Sequence, residues 1–170
     1  LSRLETSDLR AVTTAALRGL ASSQIASLAS DAVGALTTAQ VNSLTTGQIQ
    51  GLTTGDMVAL TSGQIAVMGS AQVGGLSTDQ LAAIEAADVK SITTASLRAL
   101  SSTQLDALTS DQLRALTSGQ IVALTTGQVS TLNTDELNTL KSDQFNKITT
   151  GQIAQLTTGH LSTLTTRNAD

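Results

Sequence analysis

The sequence predicts an all-α solenoid: a chain of very short, capped helices, one per eight-residue repeat. Three observations predict it. Apolar residues recur in two columns of an unbroken octad, Ser or Thr follows the first of them in nearly every octad, and in most octads Gln stands three residues further on, the spacing of a helix cap. Counted in eights from Leu4, an apolar residue fills every one of 21 positions through Val12, Leu20 and Leu28 to Leu156 and Leu164. Five residues after each stands a second, from Leu9 and Leu17 through Ile25 and Val33 to Phe145, Ile153 and Leu161. No insertion or deletion disturbs this register, and repetition of this kind has to be settled before any other reading. The octad is lettered a to h, with a at Leu4, f at Leu9 and h at Ala11.

Each column has a physical reading. Position c is Ser or Thr in 20 of 21 octads and position b in 14 of 21, while e is Gln in 12 of 20. Thr-x-x-Gln from b to e is the spacing of a capping box: the hydroxyl accepts one N–H of the first turn and the Gln reaches back to another. With b as the cap, a and f fall at the two positions of a hydrophobic staple. Position c is the alternative cap, since it holds its hydroxyl more strictly, and the pattern leaves both open. "TSDQLRAL" (Thr109 to Leu116) and "STQLDAL" (Ser102 to Leu108) read as capped helical turns, with Arg114 and Asp106 facing water. The alternative is a β-solenoid with two octads per coil, because Thr, Ile and Val suit strands. Against it, column a is Leu in sixteen octads and the 5-then-3 apolar spacing breaks strict alternation.

One long helix is excluded. At about 100° per residue, column a would rotate by about 80° per octad and visit every face, so the helix must break in each repeat. A single octad is not self-sufficient either. Burying its two apolar side chains yields about 1.5–3 kcal/mol each, whereas ordering its eight backbone units costs about 1–2 kcal/mol apiece. The octads must therefore stack. Column h is small (Ala, Gly, Ser or Thr) in 17 of 20 octads, which lets neighbours approach. The expected organisation is one solenoid over 1–170 of about 20 repeats, with the pattern ending over 164–170, where Ala169 replaces an apolar residue. "MGSAQVGG" (Met68 to Gly75) should be looser, and "IEAADVKS" (Ile84 to Ser91) leaves Glu85 or Asp88 to cap.

Composition narrows the function. The 170 residues include one aromatic (Phe145) and no Trp, Tyr, Cys or Pro, with a net charge of -4. Absent cysteine removes disulfides and thiolate metal sites. No apolar run approaches the roughly 18–20 residues of a membrane helix, so no membrane insertion is expected. The chain starts at Leu1 without a basic-then-apolar leader, so a processed product or a segment of something longer is expected. No Lys or Arg lies between Arg18 and Lys90, which defeats phosphate neutralisation over nine octads and argues against nucleic acid.

Residues for chemistry are sparse, and no catalytic, cofactor-binding or metal-binding residue is assigned; no enzyme is expected. His160, the sole histidine, stands in column e and reads as a Gln substitute at a helix start. The acids of columns d and e suit helix N-termini. Column g varies (Arg10, Arg18, Asn42, Gln50, Lys90, Asp106, Arg114) as a solvent-facing position would. The Ser and Thr columns could accept O-linked glycans, though capping their own turns is the simpler role.

The phrases "LTTGQIQG", "LTTAQVNS" and "LTSGQIVA" resemble the Leu-Thr-Thr-x-Gln-Ile octapeptide arrays of large bacterial surface, secreted and appendage-associated proteins. The resemblance spans nearly the whole chain. It implies an extracellular or cell-surface structural role: the shaft or polymerising subunit of a fibre, self-associating end to end or laterally. The alternative is an adhesin or scaffold module presenting its surface to protein or glycan partners.

Overall fold

The structure, a computed structural model, describes residues 6–160. The expected end of the pattern over 164–170 lies outside them. Nineteen helices of four to six residues follow one another, from Thr6–Ala11 to Thr150–Ile153, and no strand occurs among the described residues. The helical reading holds and the β-solenoid does not.

The cap is position b. Thr45 is representative: its backbone is extended (φ −71°, ψ 158°), its hydroxyl accepts the Gln48 N–H, and the Gln48 side chain accepts the Thr45 N–H, closing the capping box before the helix Thr46–Gln50. The same reciprocal pair opens the helices Thr38–Ser43, Ser62–Ala66, Thr78–Ala83, Ser110–Ala115, Ser118–Ala123 and Thr126–Thr131. The preceding a residue is extended as well, as at Leu44 (φ −61°, ψ 139°). Two extended residues per octad thus break what would otherwise be a continuous helix, and the a and f side chains meet across the break as a staple. Glu85 occupies the N-cap of the four-residue helix Ala86–Val89 without a side-chain cap bond, so in this octad neither Glu85 nor Asp88 closes the cap.

Each helix packs against the third helix before it and the third after it, as Ser30–Gly34 packs on Thr54–Ala59 and Thr54–Ala59 on Thr78–Ala83. The chain therefore winds back over itself after three to four octads. Columns a and f fill the interior as one continuous core from Leu9 to Leu156, with Val12, Leu20 and Phe145 half-buried against it. Because every octad contributes the same pair of side chains, the core has no centre and no layer unlike the rest, as expected of a quasi-one-dimensional fold.

The close approach of successive turns explains several glycines. Among the described residues none has positive φ, so no glycine is there for backbone freedom. A Cβ on Gly34 would lie 2.7 Å from the Ala59 carbonyl oxygen one turn on, and one on Gly51 would lie 3.0 Å from that of Ser22 one turn back. A Cβ on Gly75 would collide with Thr46 Cγ2. In the stretch Met68 to Gly75, where sequence reasoning expected looseness, Gly74 and Gly75 stand where turns pack tightly, whereas a Cβ on Gly69 would meet nothing closer than 3.9 Å.

Candidate functional site: the glutamine bridges between turns

The most distinctive polar structure is column e. In the capping box the Gln side-chain oxygen serves its own helix, which leaves the amide nitrogen to act elsewhere. Gln48 shows where: Oε1 accepts the Thr45 N–H at 2.9 Å, while Nε2 donates to the carbonyls of Leu17 at 2.8 Å and Leu20 at 2.7 Å. Those carbonyls lie 31 and 28 residues earlier, on the preceding turn. The same pair of donations recurs at Gln40, Gln64, Gln72, Gln80, Gln112, Gln120, Gln128, Gln144 and Gln152, always at separations of 31 and 28. Gln104 donates instead at separations of 30 and 28, to Gly74 and Leu76.

Apart from half-buried Gln104, these amides are buried. Gln112 is 1% exposed and Gln48 2%, whereas Gln24 on the first described turn is exposed. Burying an amide costs free energy unless its donors and acceptor are all engaged. Here they are, and among the described residues no buried side-chain nitrogen or oxygen lacks a partner. One recipient is the f carbonyl at the end of a helix, which also accepts the N–H of the a residue three positions on, as Leu17 accepts that of Leu20; the other is the carbonyl of that a residue, just beyond the helix. One side chain thus completes the start of its own helix and the end of another a full turn away.

Where column e departs from Gln, the bridge changes in kind. Ser96 donates to the Met68 carbonyl at 3.1 Å. Asp56 and Asp88 have no donor to offer, and the hydrogen bond reverses: Ser30 Oγ donates to Asp56 Oδ1 at 2.8 Å, and Ser62 Oγ donates to Asp88 Oδ1. A second, sparser set of bonds runs in the opposite direction from column g. Arg10 Nε donates to the Ala35 carbonyl at 2.8 Å, Asn42 Nδ2 to that of Val67 at 2.6 Å and Arg114 Nε to that of Thr139 at 3.3 Å, each 25 residues later.

The residues singled out in the sequence fall into this frame. His160 Nδ1 accepts the Thr157 N–H at 3.2 Å and its own N–H donates to Thr157 Oγ1 at 3.3 Å, so it does stand in for Gln at a cap. The d-column acids Asp31, Asp79, Asp111, Asp135 and Asp143 lie in first turns. Among the described residues no three metal-ligating side chains converge and no helix is long and apolar enough to cross a membrane. Two carboxyls are displaced from their ordinary range. Burial pushes Asp106 up. Burial, with the charges of Asp106 and Asp135, pushes Glu136 up against the lowering effect of the Asn133 backbone bond.

A helical solenoid of tandem octads, locked turn to turn by buried amides, is the class that the fold and this ladder define. The chain belongs to the ALTTAQ repeat family, whose profile matches residues 1–38, 49–83, 81–118 and 121–158. Residues 35 to 40, Ala-Leu-Thr-Thr-Ala-Gln, spell that name, and their glutamine is Gln40, the first to bridge two turns. No curated protein and no solved structure matches the chain.

Proposed function

We propose that the chain is a structural rod without catalytic activity, forming the shaft or a polymerising subunit of an extracellular bacterial fibre. The observation that carries this reading is the ladder. Buried amide bonds tie turn to turn from Gln40 to Gln152, so bending the array anywhere between them would strain hydrogen bonds as well as packing. The polarity of those bonds also favours one direction of stacking. A turn presents amide donors on its N-terminal side and carbonyl acceptors on its C-terminal side, the complementarity of a heterologous, open-ended contact. The surface or secreted setting rests on the likeness to bacterial octapeptide arrays.

The alternative is a binding module of the adhesin or scaffold type, with protein or glycan partners along column g and the Ser and Thr columns. Three of the varied g side chains, Arg10, Asn42 and Arg114, are already engaged with the next turn. The b hydroxyls cap their own helices, as at Thr45 and Thr109. Both observations weigh toward the rod. Electron microscopy of the isolated chain, with sedimentation over a range of concentrations, separates the readings. A rod gives particles of uniform width that lengthen in proportion to added octads, and a polymerising subunit gains mass with concentration. Particles of irregular outline, or width that changes as octads are added, would refute the rod. A monomer that saturably binds a glycan or protein would favour the alternative. Immunolabelling of intact source cells tests the surface location.

A further inference from the structure

We propose that Glu136 is a proton-dependent rung of the ladder, joining its turn to the preceding one fully only when its carboxyl group is protonated. Its own cap is complete without the proton: Glu136 Oε2 accepts the Asn133 N–H at 2.7 Å and the Glu136 N–H donates to Asn133 Oδ1 at 3.0 Å. The difference lies toward the preceding turn. In the octads on either side, Gln128 donates to Leu97 and Leu100 at 3.0 and 2.9 Å, and Gln144 donates to Leu113 and Leu116 at 2.9 and 2.6 Å. The same separations of 31 and 28 lead to Leu105 and Leu108, yet Glu136 makes no hydrogen bond to either carbonyl, and its side chain is half-buried where Gln128 and Gln144 are buried. A carboxylate offers only acceptors, so the ionised group cannot make the donation to those carbonyls that Gln makes elsewhere. One proton turns the group into the donor that Gln supplies elsewhere. Asp56 and Asp88 meet the same problem by accepting the hydroxyls of Ser30 and Ser62, whereas the hydrogen bonds of Glu136 stay within its own cap.

The charges around this rung favour the proton. Asp106 comes from the preceding turn and Asp135 from the same helix, Thr134–Thr139. The helix packed against it, Ser110–Ala115, brings Asp111 and Arg114, and the Arg114 side chain donates to the Thr139 carbonyl at the far end of Thr134–Thr139. Lys141 caps the following helix, and His160 comes 24 residues later. Burial and the two neighbouring acids accordingly hold the Glu136 carboxyl above its ordinary range. The sign follows. A group raised in the folded state contributes stability that is full below its unfolded value and is lost as pH rises through its folded value. This rung is therefore tight in mild acid and slack at neutral pH, unlike the eleven bridges made by Gln, which do not titrate.

Native-state amide hydrogen exchange on the full chain, corrected for intrinsic rates, tests this between pH 7 and the ordinary Glu range near 4.5. Protection in Ser102–Asp106 and Thr134–Thr139 should rise severalfold on acidification. Glu136→Gln, which places in this slot the residue found in most others, should be protected at both pH values, leaving only the smaller pH dependence that Asp106 contributes. Asp106→Asn should move the transition to lower pH. The proposal is overturned if Glu136→Gln keeps the wild-type pH dependence, or if wild-type protection in these helices is flat or falls in acid. It stands independently of the rod function.

Discussion

Gln112→Glu isolates the bridge from the cap. The carboxylate can still accept the Thr109 N–H that Gln112 Oε1 now holds at 2.8 Å, so the helix start is preserved. What disappears is donation to Leu81 at 2.8 Å and Ile84 at 2.7 Å, from a side chain only 1% exposed. Each lost bond is worth about 1 kcal/mol, and leaving buried polar groups unsatisfied adds about 1–3 kcal/mol. The substitution should therefore cost about 3–5 kcal/mol at neutral pH. For a chain of this size about 2–4 °C accompany each kcal/mol, so Tm should fall by roughly 6–20 °C. The control is Gln24→Glu. Gln24 accepts the Ala21 N–H at 2.8 Å in the same way, but it is exposed on the first described turn. That change should stay within about 0.5 kcal/mol. Calorimetry of both variants beside the wild type decides the matter. If the two lose the same stability, or if Gln112→Glu is tolerated, the glutamines are only caps and the ladder has no energetic role.

Three further outcomes are expected. Gly34→Ala places a methyl 2.7 Å from the Ala59 carbonyl oxygen and should cost about 1–3 kcal/mol in urea unfolding, whereas Gly151→Ala, with nothing within 4 Å, should gain about 0.5–1 kcal/mol from helix propensity. Ser30→Ala removes the hydroxyl donated to the buried Asp56 carboxylate and should lower stability by about 1.5–3 kcal/mol; the same change at Ser22, whose neighbour one turn on is Gln48, should be nearly neutral in the same assay. A synthetic peptide of three octads, such as residues 36–59, is shorter than the smallest inter-turn separation of 25 residues and should show only coil by circular dichroism, while the whole chain shows helical minima.

Much of this fold is written along the chain, because helix caps and apolar columns are local. The spacing of Thr45 and Gln48 announces a capping box, and Leu44 with Ile49 announces the staple, since each depends only on residues a few positions apart. The number of octads per turn is not local. It is set by how the side chains of columns a, f and h pack between turns, and no periodicity of eight encodes it. The second function of Gln was missed for the same reason, although a signal was present. A capping box accepts Glu as readily as Gln, yet column e holds twelve Gln and one Glu. That bias marks a position where the far end of the side chain must donate. The choice between b and c as the cap was also open in the sequence. The structure resolves it, since Ser30 and Ser62 in column c turn away from their own helix toward the carboxylates of Asp56 and Asp88.

Every bridge of the ladder reaches back by about the same short stretch of chain, and never to a distant end. Gln48 finds Leu17 and Leu20 already made, as Gln152 finds Ile121 and Leu124. A nascent polypeptide of this design can set each coil onto finished coils as soon as the next few dozen residues leave the ribosome. Lengthening the gene by whole octads would then extend the molecule without asking it to solve a harder folding problem.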